Sequence, residues 1–155
     1  MSSPTRDQIA AWRTFLETSY ALIDILDSEL QAERGLTLAW YDALVHLEEE
    51  ERGLRMNELA GRILLSKSGL TRVIDRMEED GLVVRERPAD NRRVVLVHIT
   101  PAGRETLAAA RIVHRRGIQE HFAQHIDPGK LQVLADTLER VRDHVRPLRP
   151  GRISG

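Results

Sequence analysis

Residues 56–103 carry a pattern that leaves few ways to fold: two short helix-forming stretches across a tight turn, then strand, turn and strand. The first half reads Met56-Asn-Glu-Leu-Ala-Gly-Arg-Ile-Leu-Leu-Ser-Lys-Ser-Gly-Leu-Thr-Arg-Val-Ile-Asp. Leu59, Ile63, Leu65, Leu70, Val73 and Ile74 sit at the offsets that two crossed helices need for a shared apolar contact. Ala60 is small where the helices must approach. The second helix, residues 67–80, then has a polar face free to project outward. Beyond Gly81 the chain alternates Val83, Val84, Arg85, turns at Pro88-Ala-Asp-Asn, and returns over residues 93–99 with β-branched valines. Arginines gather at its tip. The pattern predicts a helix-turn-helix with a β-hairpin wing, a form whose second helix suits the major groove of double-stranded DNA.

The rest of the chain reads as helix. Residues 5–33 repeat Ile9, Trp12, Leu16, Ser19, Leu22/Ile23, Leu26 and Leu30 every three or four positions and stop at Gly35. Thr37 can cap a helix over residues 38–50 with Leu44 and Leu47 inward, Gly53 breaks it, and Leu54-Arg55 can form a very short strand. Thr100-Pro101 opens a helix to about residue 125, and Asp127-Pro128 opens another to about residue 146, with Leu131, Leu134, Leu138, Val141 and Val145 in one stripe. The fold class expected is mainly α with a small β-hairpin wing. Residues 36–100 form the DNA-binding lobe, and residues 147–155 are expected to be a disordered tail. The terminal helices, residues 5–35 and 101–146, carry more apolar surface than one small lobe covers, which points to a homodimer.

Bulk properties exclude several functions. The net charge is −1, so this is no polycation that coats nucleic acid, and any DNA binding must rest on local charge. Cysteine is absent, which rules out disulfides, thiol redox sensing and thiolate metal sites. No apolar run approaches the roughly 18 residues of a membrane span, and the first residues lack the apolar core of a secretory signal, so a cytoplasmic location is expected. There is no Gly-rich phosphate loop, nucleophile elbow or His-Glu-x-x-His helix. Neither an enzyme nor a cofactor is expected. The run from Glu48 to Glu51 reads as solvated surface.

The candidate site residues follow from this layout. Ser66, Lys67, Ser68, Thr71 and Arg72 open the second helix, where hydroxyls, unpaired N–H groups and the helix dipole favour phosphate. Arg72 can reach a guanine edge, a bidentate contact that discriminates by about 1–3 kcal/mol, and Arg76 one turn on suits a phosphate. Arg87 and Arg93 are backbone-contact candidates. Asp90 would be repelled by phosphate, so it is assigned to orienting Arg92 or nearby N–H groups.

These residues resemble the MarR family of winged-helix regulators of bacteria and archaea over about residues 10–145. The sharpest part is residues 66–83, then Arg85 and Arg87, Asp90-Asn-Arg92 with Leu96 four positions on, and Thr100-Pro-Ala-Gly103. The resemblance implies a homodimer on pseudo-palindromic operators, a wing arginine, here Arg92, in the minor groove, and release by small, commonly aromatic or phenolic, ligands. The family's effector pocket lies between the dimerising helices and the DNA-reading lobe, where Trp12, Trp40 and Tyr41 could stack on a flat ligand or simply pack. Some relatives sense zinc through helix histidines. His121 and His125, four apart, with His46 as a third ligand, give that alternative here, against the plainer reading of surface histidines. A protein-interaction or ligand-binding module without DNA binding is the other alternative, which the intact basic surface opposes.

Overall fold

A computed structural model describes residues 3–63 and 67–146, with only the backbone for Lys67 and Ser68. Leu64, Leu65, Ser66 and the tail at 147–155 lie outside the described residues. The order is α1 (Arg6–Arg34), α2 (Leu38–Glu48), β1 (Leu54–Arg55), α3 (Met56–Arg62), α4 (Lys67–Glu79), β2 (Val83–Glu86), β3 (Leu96–Ile99), α5 (Pro101–His121) and α6 (Leu131–Val145). Short 3₁₀ turns at Ala123–His125 and Pro128–Lys130 link the last two helices.

The helix ends follow from local chemistry. Thr5 Oγ1 accepts from Gln8 N at 3.2 Å, and Gln8 Oε1 accepts from Thr5 N at 2.8 Å. This reciprocal pair satisfies two donors that the first turn of α1 would leave open. Gly35 ends α1 at φ 62°, a left-handed backbone that glycine adopts cheaply, and donates to Gln31 O. Thr37 Oγ1 accepts from Trp40 N at 3.2 Å, and Asp27 of α1 accepts from Leu38 N at 2.7 Å. The first turn of α2 is therefore held by a side chain of α1 as well as by its own cap.

One core runs through the chain. Leu30 of α1, Leu44 and Leu47 of α2, Leu59 of α3, Leu70, Ile74 and Met77 of α4, Val97 of β3 and Leu107 and Ala110 of α5 are all buried. The short strand at Leu54–Arg55 pairs antiparallel with β3, which also pairs with β2, so β3 is central in a three-stranded sheet. The strands are shorter than the sequence pattern predicts. Residues 87–95 fold back in two successive turns, Asn91 N to Pro88 O and Val94 N to Asn91 O. Pro88 has no N–H to give a ladder, and Asn91 Oδ1 accepts from Arg93 N at 3.2 Å. The helix expected to reach residue 125 stops at His121. Phe122 leaves the helical region at φ −129°, ψ −65°, and a 3₁₀ turn takes over. Asp127-Pro128 caps the next short turn before α6 begins.

The joint between α4, the wing and α5 is held by a small hydrogen-bond network. Thr100 N donates to Leu82 O at 3.0 Å, Thr100 Oγ1 donates to Gly81 O at 2.6 Å, and the same oxygen accepts from Gly103 N at 3.0 Å. A Cβ on Gly103 would lie 2.2 Å from Leu82 O, a backbone atom fixed by that network. This explains Thr100-Pro-Ala-Gly103 in physical terms: a cap, a pre-set first turn, and a glycine against a carbonyl. Gly103→Ala is expected to cost about 1–3 kcal/mol, by overpacking against an immovable group. Urea unfolding that shows no loss would mean the joint yields.

Candidate nucleic-acid interface

α4 divides into two faces. Leu70, Ile74 and Met77 are fully buried, whereas Thr71, Arg72, Asp75 and Arg76 are exposed. Burying three such side chains is worth about 1.5–3 kcal/mol each, which fixes the rotation of the helix about its axis. The polar face is outward because the apolar face has no other place to go. Thr71, Arg72 and Arg76 thus lie where the sequence placed them, Lys67 and Ser68 start the helix, and Ser66 lies outside the described residues.

Arg85, unlike the other hairpin arginines, does not add to the basic surface. Its guanidinium donates to Glu78 Oε2 and to Asp75 Oδ1, both at 2.5 Å, and its backbone N–H donates to Glu78 Oε1 at 2.9 Å. β2 is thereby fastened to α4 through two carboxylates that would otherwise face an incoming phosphate. The Arg85 backbone N–H and guanidinium hold the Glu78 carboxyl below the ordinary glutamate range. Arg62 is also engaged, with Glu50 at 3.3 Å. The acidic run is correspondingly less solvated than expected. Glu50 holds Arg62 and Arg52, and Glu48 is bonded to Arg111 of α5.

The other arginines of the lobe stay outward. Among the described residues Arg72, Arg76, Arg92 and Arg93 have no carboxylate partner, and all four are exposed. Arg87 is exposed too, and donates to Arg92 O at 2.9 Å, which ties the base of the wing tip to the residue at its apex. Asp90 is exposed at the turn, but the bond that orders the tip comes from its neighbour Asn91. The orienting role expected for Asp90 belongs to Asn91 and Arg87.

Residues 34–94 match the model of the MarR family. AbsC of Streptomyces coelicolor, a MarR family transcriptional regulator, is 34% identical and superposes with a TM-score of 0.84 over 95% of this chain and 99% of that one. The chain belongs to the MarR family of transcriptional regulators. A second MarR regulator of that organism, Sco3205, solved in complex with DNA, is 27% identical with a TM-score of 0.85 over 94% of this chain and 91% of its own. The putative transcriptional regulatory protein for the hcr operon of Thauera aromatica is 27% identical over 136 residues, 88% of this chain and 74% of that protein.

This MarR chain also has a cavity of about 850 Å³, walled by α1, α2, α5 and Ile63 at the end of α3. Of the three aromatic residues proposed for a ligand, Tyr41 lines it. Trp40 packs against the core instead, and Trp12 is exposed on α1, tilted against Phe15 at 6.2 Å. Sequence periodicity could not separate these three, because each lies on an amphipathic helix. The residues it missed are His114, whose ring lies 4.4 Å from that of Tyr41, and Asp24, Asp27 and Asp42. Nothing local marks His114; only the fold brings α5 across α2. Burial pushes the Tyr41 hydroxyl above its ordinary pKa and the His114 ring below its own.

The three histidines considered for zinc do not converge. His46 lies 3.6 Å from Asp42, His121 lies 2.6 Å from Glu29, and His125 is bonded to Glu120 O at 3.0 Å. Among the described residues the one trio with ligand atoms within 4.8 Å of one another is Glu29, Glu120 and His121.

Arg85→Ala is expected to lower stability by about 1 kcal/mol at neutral pH, a modest figure because the pair is partly solvated. A carboxylate with a lowered pKa stabilises the fold above its unfolded pKa and loses that contribution as pH falls through the folded one. The gap between wild type and Arg85→Ala in urea titrations should therefore close on acidification. A gap unchanged in acid would show that the Glu78 pair adds nothing.

Proposed function

We propose that the protein is a homodimeric, sequence-specific repressor of transcription that binds double-stranded DNA and lets go when a small ligand enters the cavity. The observation that carries this is how the arginines between residues 62 and 93 are sorted. Arg62 and Arg85 are spent on ion pairs that hold the lobe together, whereas Arg72, Arg76, Arg92 and Arg93 stand exposed without a carboxylate partner among the described residues. In a chain of net charge −1, four unpaired arginines on one helix face and one hairpin tip are a local anion-binding surface. α4 enters the major groove with Ser66, Lys67, Ser68 and Thr71 toward phosphates and Arg72 toward a base. The wing lays Arg92 in the flanking minor groove, where a narrow A·T-rich segment concentrates negative potential. Sco3205 in complex with DNA supports the same use of a related fold.

Dimerisation rests on uncovered apolar surface. α6 has no buried residue, and Val133, Leu138, Val141 and Val145 are exposed along it. Trp12, Phe15 and Tyr20 are exposed on α1. Two copies joined through residues 5–35 and 101–146 bury these faces and set two α4 helices about one DNA turn apart, roughly 10 bp between half-sites. No described helix is long and apolar enough to cross a membrane; the site of action we infer is the cytoplasm, where the DNA is. The cavity touches both the dimerising helices and Ile63, the residue that closes α3. A ligand weakens DNA binding only by the difference in its affinity for the free and bound arrangements.

The test is a fluorescence-anisotropy titration with DNA flanking the gene of this protein, across a range of salt. Cognate DNA should bind tighter than a scrambled duplex. Arg92→Ala should reduce the slope of log affinity against log salt by about 0.9, one phosphate contact's worth. Arg72→Ala should relax discrimination at a single base pair by about 1–3 kcal/mol. Equal affinity for cognate and scrambled DNA sinks the proposal. So does sedimentation at the 17.6 kDa mass of one chain.

A further inference from the structure

The cavity lining is part apolar and part charged, and among the described residues that charge has one sign. Ile23 of α1, Leu38 and the Tyr41 ring of α2 make the apolar side. Asp24, Asp27 and Asp42 supply the charge, and among the described residues no lysine or arginine lines the cavity. The three aspartates differ in what already holds them. Asp27 is bonded to Leu38 N and Gln31, so it serves the fold. Asp42 lies 3.6 Å from His46. Asp24 is exposed and has no partner among the described residues.

The α5 side does not offset this charge. Arg111 acts electrostatically on the Tyr41 hydroxyl, but it stands outside the lining and is paired with Glu48. Arg115 acts on Tyr41 only at longer range and is likewise outside the lining. His114 is held toward its neutral form by burial, and its Nδ1 is buried without a hydrogen-bond partner.

We propose that this cavity takes a lipophilic cation: an apolar, preferably aromatic body on Tyr41, Leu38 and Ile23, with a protonated or quaternary amine directed at Asp24 and Asp42. A carboxylate or phenolate in the same place would meet like charges and no counter-ion among the described lining residues, an arrangement that disfavours the charged form of the ligand. An ammonium instead gains from the carboxylates, and from the negative face of the tyrosine ring if it lies over it. The inference rests on the ligand-responsive reading above and narrows it from aromatic ligands in general to cationic ones.

The experiment is calorimetric titration of the whole protein at neutral pH with three probes that share one ring system. They are 1-naphthylmethylamine, 1-naphthalenemethanol and 1-naphthoate: a cation, a neutral molecule and an anion. The amine should bind at least about tenfold tighter than the naphthoate, with the alcohol between them. Asp24→Asn combined with Asp42→Asn should bring the amine to the affinity of the alcohol and leave the alcohol unchanged. Asp24→Asn alone, at an exposed position that the fold does not use, should give part of that loss, and Asp24→Glu should keep the preference.

Naphthoate binding as tightly as the amine overturns the proposal. So does a preference for the amine that survives both asparagine substitutions, or the absence of binding by the amine at millimolar concentration. Operator release by the amine is read separately by anisotropy. Tight, aspartate-dependent amine binding that leaves DNA affinity unchanged upholds the cation site and overturns the effector reading, so the two claims fail independently.

Discussion

Everything the lobe presents outward depends on how α4 is seated. Leu70, Ile74 and Met77 lock one face of that helix into the core, and Arg85 fastens its far end to the wing through Asp75 and Glu78. The first constraint sets rotation about the helix axis; the second sets the angle between helix and hairpin. Neither involves a residue proposed to touch DNA. Their joint effect is that Arg72 and Arg76 on the helix and Arg92 and Arg93 on the wing belong to one rigid unit. The backbone that carries these arginines needs no ordering when DNA arrives, which removes an entropic cost that a loose hairpin would incur.

Much of this was legible in the residues. The apolar offsets from Leu59 to Ile74 required a crossed helix pair, and glycines 35, 53 and 81 marked breaks that the structure places at positive φ. Thr37 and Thr100 announced their caps. These signals are local: each depends on a few neighbours along the chain, so sequence carries them intact. The outward face of α4 was equally readable, since it is the complement of a periodic apolar face.

What the sequence could not convey depends on distance in space. Arg85 looked like one more cation of the hairpin, because nothing along the chain says that Asp75 and Glu78, ten and seven positions before it on α4, will meet it. The same holds for Glu48 and Arg111, 63 positions apart and bonded. Trp12, Trp40 and Tyr41 shared an aromatic character, yet only Tyr41 turned toward the cavity. His114 joined it from α5. Charge and ring chemistry are visible in a sequence; partners are not, and for this chain the partners decided which arginines hold the fold together and which are left to face outward.

α6 has a consequence that reaches beyond geometry. A helix of 15 residues with no buried side chain has little in its own chain to stabilise it, and such helices are marginal in water when isolated. The homodimer proposed above would give its apolar stripe something to pack against. In that dimer, ordering of this helix and pairing of two copies would be coupled, each favouring the other.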